Sequence, residues 1–165
     1  MSVHPAALSS EELLSDCDVR RSRRSGPGGQ HRNKVETAIT LHHRPSGVRA
    51  EASERRSQAE NQRVAIARLQ AALALEVRVV RREVSSLWRE RCQEGRIRIN
   101  HAHRDFPALL AEALDVIYEE QLDFDASAGR LKCTMSQLLK LVRSVSAALE
   151  RVNRDRVERG LRPLR

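Results

Sequence analysis

From Gln58 to about Cys92 the chain contains neither proline nor glycine. A stretch that long without either backbone breaker constrains the fold more than any other feature. Within it Val64, Ala67, Ala71, Ala74 and Val77 recur at helical spacing, with Leu69, Leu73, Val80, Val84 and Leu87 on adjoining rows, so the run reads as one long helix. Ser57 and Glu60 stand three apart, where a capping box would open that helix, and Gly95 stands where it would stop. The first half can pack on a sheet. The second half carries Arg78, Arg81, Arg82, Arg89 and Arg91 against Glu76, Glu83 and Glu90, which reads either as a projecting basic rod or as a charge-balanced solvated face.

The sheet comes from the residues ahead of this helix. Ser9 and Glu12 form another capping box, over a short helix that ends at Asp16-Cys17-Asp18. Asp18 to Arg24 reads as an extended strand. Ala38 to His43 alternates, with Ile39, Leu41 and His43 on one side and Ala38, Thr40 and His42 on the other. Arg44-Pro45-Ser46-Gly47 is a turn, and Val48 to Glu51 returns as the next strand. Asn33 to Thr37, just before the alternating strand, predicts a helical turn.

Beyond Gly95 the pattern is helical. Pro107 suits a helix start leading Ala108 to Gln121, and a short helix follows over Asp125 to Leu131. Thr134-Met135-Ser136-Gln137 caps a helix over Ser136 to Arg143, and a final one runs from about Ser146 to Arg159. The short helix, tight turn and capped helix are similar to a helix-turn-helix unit; a plain helical bundle is the alternative, favoured by the sparse charge on the would-be recognition helix. The expected architecture is α+β: a small, mostly antiparallel sheet packed on a long helix, then a small all-helical domain. The expected division is residues 1–95, a linker at 96–104, and 105–165.

The net charge is +8, which favours a polyanionic partner. Cut at Arg98, the charge divides as +7 upstream and +1 downstream, assigning the electrostatic footprint to the first half. The aromatics are Trp88, Phe106, Tyr118 and Phe124, all far in sequence from the arginine-rich stretch at Arg20–Arg24, which argues against a base-stacking platform. Three scattered cysteines without a Cys-x-x-Cys pair fit reduced thiols in a cytoplasmic protein. No His, Cys or carboxylate spacing completes a metal site, and no apolar span predicts export or membrane insertion.

The chemistry points to Ser25-Gly26-Pro27-Gly28-Gly29-Gln30-His31-Arg32-Asn33-Lys34-Val35-Glu36-Thr37. Adjacent glycines reach backbone conformations and close approaches that a Cβ forbids. Arg20, Arg21, Arg23 and Arg24 precede the tip, and Arg32 and Lys34 follow it. The tripeptide alone arises by chance in about one in thirty chains of this length; its continuation through Ala38-Ile39-Thr40-Leu41 to Glu54-Arg55-Arg56-Ser57-Gln58-Ala59-Glu60-Asn61 carries the weight. Over roughly residues 16–75 the chain resembles the Gly-Gly-Gln domain of class I peptide-chain release factors and their stand-alone ribosome-rescue relatives.

That resemblance implies ribosome-dependent hydrolysis of the peptidyl-tRNA ester. Gly28 and Gly29 would set the conformation of Gln30, whose backbone amide would stabilise developing negative charge while its side chain excludes larger nucleophiles. Arg23, Arg24, Arg32 and Lys34 would meet ribosomal or tRNA phosphates, as would Arg55 and Arg56. The implied partners are the large-subunit RNA of the ribosome and peptidyl-tRNA, with a further nucleic-acid contact open to the C-terminal helices; no cofactor, metal or membrane is implied. His31 has no carboxylate placed to orient it as a base, and Ser25 and Ser46 lack a nucleophile-elbow context. About fifteen residues precede the domain, too few for the codon-reading and N-terminal helical domains of decoding factors, so codon-independent rescue is expected. The alternative is an RNA-, ribosome- or DNA-binding factor without hydrolase activity.

Overall fold

In the computed structural model, which describes residues 3–23 and 37–165, the alternation at Ala38–His43 has its expected outcome: Ile39, Leu41 and His43 are buried and the residues between them are half-exposed. The chain folds as two compact units, Val3–Val77 and Arg78–Arg165.

The first unit begins with a 3-10 turn at Pro5–Ala7 and helix α1 (Ser10–Ser15). The predicted Ser9–Glu12 capping box is present, with both reciprocal bonds made. Strands β1 (Cys17–Ser22), β2 (Ala38–His43) and β3 (Arg49–Ala52) form an antiparallel sheet in sequence order. Gly47, at φ +73°, closes the turn between β2 and β3 with its N–H on the His43 carbonyl, a backbone conformation glycine adopts without strain. Helix α2 (Gln58–Glu76) packs on β2 and β3 and buries Ala65, Ile66, Leu69 and Leu73 in the same core as Ile39, Leu41 and Leu13. The buried row is therefore 61/65/69/73; Ala67 and Ala71, which recur at helical spacing in the sequence, lie in solvent. His4 fastens the chain start to the helix end: its Nδ1 accepts from Ala6 N–H and its Nε2 lies 3.2 Å from the Val77 carbonyl.

Two expectations fail in this region. Ser57 makes no side-chain cap at the start of α2. The long helix stops at Glu76, and Val77, at ψ 143°, is already extended. Val77, Val79 and Val80 are β-branched and weak helix formers. Their stretch also has better partners than its own helix would offer. Residues 77–85 are irregular, and their backbone is captured by carboxylates of helix α4 (Phe106–Glu119). Asp115 accepts from Val79 N–H at 3.0 Å, Glu119 from Arg81 N–H, and Glu112 from Ser85 N–H at 2.7 Å. The basic rod does not exist: the Arg81 guanidinium lies 2.8 Å from Asp115, and Arg78 stacks 5.0 Å from the Tyr118 ring centroid.

The second unit continues with α3 (Ser86–Arg91), capped by the Ser85 hydroxyl, and a short hairpin of β4 (Cys92–Gln93) and β5 (Arg96–Ile97). Gly95 turns this hairpin with Glu94, both at positive φ, and stops no helix. Helices α5 (Phe124–Arg130), α6 (Met135–Arg143) and α7 (Ser146–Glu158) complete it. Thr134 caps α6 as expected, but the Gln137 side chain reaches the Ile97 N–H. Trp88, 1% exposed, plugs the core and donates its indole N–H to the Leu131 carbonyl at 2.8 Å. The fold is α+β as predicted.

Tyr118, the sole tyrosine, donates its phenol proton to Asp155, and burial first, then the Asp155 carboxylate, pushes its pKa up to about 12. Alkaline titration of the tyrosinate absorbance is expected to show a midpoint near 12 in the native protein and near ~10 in strong urea. Because the folded value is the higher one, the stability Tyr118 contributes is complete below about pH 10 and is lost as pH rises through the folded value. A native midpoint near the urea one would contradict the assignment.

Candidate functional site

In the β1–β2 register Ser22 lies opposite Ala38, so the chain leaves the sheet at Arg23 and returns at Thr37 at one end. Ala52, the last residue of β3, lies opposite Ile39, which brings the 53–57 loop out at that same end. The structure thus gathers three of the sequence-predicted cations, Arg23, Arg55 and Arg56, around the point where the glycine-rich connection begins and ends. Arg24, Gly28, Gly29, Gln30, Arg32 and Lys34 lie outside the described residues, as do His31 and residues 33–36 of the expected helical turn.

One side chain binds this frame together. Asn61, 0% exposed on the first turn of α2, donates its amide to the Thr37 carbonyl at 2.6 Å and to the Arg55 carbonyl at 3.0 Å, and accepts from Arg55 N–H at 2.9 Å. A buried amide with its donors and acceptor satisfied is rigid. It fixes the Arg55 backbone while the Arg55 and Arg56 side chains stay in solvent. Arg68 braces the same loop, its guanidinium bridging the Glu51 carbonyl at 2.7 Å and the Glu54 carboxylate at 2.7 Å. Hydrogen bonds from the Glu54 and Ser53 N–H groups, assisted by Arg68, hold the Glu54 carboxyl below the usual range. A cleft of about 270 Å³ opens at this end of the sheet, lined among others by Ser22, Arg23, Thr40, Glu51 and Ser53.

The frame supplies cations and fixed backbone, and no nucleophile–base pair is assembled from its described residues. Among the described residues no cluster of His, Cys, Asp or Glu is arranged to hold a metal ion, and no helix is long and apolar enough to cross a membrane. The three cysteines are free thiols, and burial pushes each of their pKa values up, Cys133 to about 12, which leaves them poor nucleophiles. Asn61 lies in the stretch that carries the family resemblance, yet nothing in its spacing announces a structural role. An amide at a helix's first turn, following two exposed arginines, is the one signal that could have found it.

Between the end of β1 and the start of β2 the sequence carries Gly28-Gly29-Gln30. The chain belongs to the RF-1 domain family, whose model matches residues 11–105. Peptide chain release factor PrfB1, chloroplastic, from Arabidopsis thaliana is 47% identical over 58 residues, which cover 35% of this chain and 13% of that protein. The chain therefore spans only a small part of that relative's length.

Asn61→Ala leaves the Thr37 carbonyl and both polar groups of the Arg55 backbone without this partner. Urea denaturation is expected to show a loss of about 2–4 kcal/mol, and Asn61→Asp, which keeps the acceptor but sets a buried carboxylate against the Thr37 and Arg55 carbonyls, loses at least as much. Equal stability of Asn61→Ala and wild type would refute the clamp.

Proposed function

We propose that this chain hydrolyses the ester between a nascent peptide and tRNA, on the ribosome and without reading a codon. The observation that carries the reading is Gly28-Gly29-Gln30 within residues 11–105, the span matched to the RF-1 domain. The gathering of Arg23, Arg55 and Arg56 at the end of the sheet where that connection is rooted supports it. The Arabidopsis relative, named a peptide chain release factor, points the same way.

In this reading water attacks the ester carbonyl, the bond to the ribose oxygen breaks, and that oxygen leaves with a proton, giving a free peptide acid and a tRNA hydroxyl. Negative charge grows first on the carbonyl oxygen. The Gln30 backbone N–H meets it with a donor that needs no reorganisation, of a kind worth about 3–4 kcal/mol in a shielded site. Gly28 and Gly29 allow the backbone to take that position, and the Gln30 side chain admits water while excluding larger nucleophiles. Arg23, Arg24, Arg32, Lys34, Arg55 and Arg56 hold phosphates of ribosomal RNA and tRNA. The proposed setting is the cytoplasm; the named relative is a chloroplast protein, and ribosomes of either compartment provide the same class of substrate.

The deciding experiment is release of labelled peptide from ribosomes stalled on a message without a stop codon. Wild type is expected to release it. Gly29→Ala, which disturbs the backbone that positions the Gln30 N–H, should lose about a hundredfold or more in rate while still binding, by analogy with loss of an oxyanion-stabilising donor. Gln30→Ala keeps that N–H and should instead let larger nucleophiles such as hydroxylamine compete with water for the ester. Binding with no release by the wild-type chain would refute the hydrolase reading and leave a ribosome-binding factor.

A further inference from the structure

The place where the helix ends changes where the charge lies. Divided at Val77, the first part of the chain carries 12 Lys+Arg against 9 Asp+Glu and the second 18 against 13, net +3 and +5. Within the second unit the carboxylates of α4 are turned inward: Glu112 and Asp115 are buried, and Glu119 and Glu120 engage Arg130 at 2.6 and 3.0 Å. Cations are left outside. A cleft of about 340 Å³ opens between the irregular 77–85 segment, α3 and the turn after α5, with Arg82, Arg89 and Lys132 on its lining and Trp88 and Leu131 among its apolar residues. Arg82, Arg89 and Lys132 are exposed and make no ion pair among the described residues. Glu83 is the one carboxylate lining the cleft, and the charge of Arg130, which also lines it, is already matched by Glu119 and Glu120.

Lys132 adds an independent sign. It occupies the left-handed position after α5, at φ +55°, with its N–H on the Gly129 carbonyl and the Cys133 N–H on the Ala128 carbonyl. That is a Schellman ending, where glycine is the unstrained residue. A lysine held there accepts backbone strain and places an ammonium group at the cleft.

We propose that this cleft, with Arg82, Arg89 and Lys132, is a binding site for the phosphodiester backbone of RNA. The proposal rests on the ribosomal reading and gives the second unit a role in it. The chemistry favours backbone over base recognition: Trp88, Phe106 and Phe124 are buried, and Tyr118 is committed to Asp155, so no aromatic face is offered for stacking. Binding through phosphates alone is sequence-independent and steeply salt-dependent.

The test is equilibrium binding of the full chain to purified large ribosomal subunits, and to protein-free ribosomal RNA, across a salt series. Removing three phosphate contacts with R82Q/R89Q/K132Q is expected to make the slope of log K against log salt shallower by about 2. The control K140Q/R143Q/R154Q removes the same charge from α6 and α7 and should leave the slope near wild type. Lys132→Gly tells contact from scaffold: it should raise the melting temperature by relieving the left-handed strain, yet still flatten the slope by about 0.7. Equal losses in both triple variants, a wild-type slope in R82Q/R89Q/K132Q, or competition by polyglutamate but not by duplex RNA would overturn the proposal. Should the wild-type chain release no peptide at all, the slopes on protein-free RNA still decide this site separately.

Discussion

Buried carboxylates on α4 hold the second unit together, and they do so by replacing a secondary structure. Residues 78–84 lie in no helix or strand that would satisfy their backbone. An unpaired buried N–H costs as much as a lost hydrogen bond or more. Glu112, Asp115 and Glu119 lie on one face of α4, spaced three and four apart, and accept from the backbone of Ser85, Val79 and Arg81 respectively. Hydrogen bonds to ionised acceptors are worth about 1.5–3 kcal/mol each, enough to outcompete a helical turn built on three valines. The arrangement also costs something: burial pushes the Asp115 carboxyl upward, against the Val79 N–H and Arg81 that favour its charged form. Arg81 and Arg130 then close the network, Arg130 donating to the Arg81 carbonyl as well as to Glu119 and Glu120.

That substitution explains why the sequence is legible in one half of this region and illegible in the other. Absence of proline and glycine over Gln58–Cys92 predicts a continuous helix, and up to Glu76 the prediction holds. Past that point the deciding partners are carboxylates 27 to 38 residues away in sequence, and no local pattern announces them. The same logic governs smaller cases. Ser57 and Glu60 have capping-box spacing, but the chain there is held by Asn61; Gln137 has it too, and its side chain goes to Ile97 instead. Where the competing partners are near in sequence, as at Ser9 and Glu12, the capping box forms. The period-two strand at Ala38–His43 forms because burial of one sheet face is enforced by every alternate residue at once.

The candidate site divides along a similar line. Which cations flank the glycines can be read off the chain, but that Arg55 and Arg56 share an end of the sheet with Arg23 emerges only from the register of three strands. The residue that makes this a fixed frame, Asn61, is silent in sequence because its partners are two carbonyls and an N–H. Backbone groups leave no residue-type signature. The family match runs on to residue 105, past the stretch of roughly residues 16–75 whose motifs carry the resemblance.

Placing affinity and chemistry on different residues has a kinetic consequence for the proposed function. Phosphate contacts from Arg82, Arg89 and Lys132 would hold substrate and transition state equally, which lowers KM without raising the rate of the bound complex. A backbone amide aimed at a developing oxyanion does the reverse, acting only as charge appears. A chain whose charge is uniform binding and whose catalysis is one fixed donor can therefore be tuned in two ways that do not interfere: by salt and surface charge for occupancy, and by backbone geometry at Gly28 and Gly29 for turnover. On this division side-chain changes in the cationic cleft leave the chemical step untouched, whereas adding a single methyl group at a glycine leaves occupancy intact and removes the chemistry.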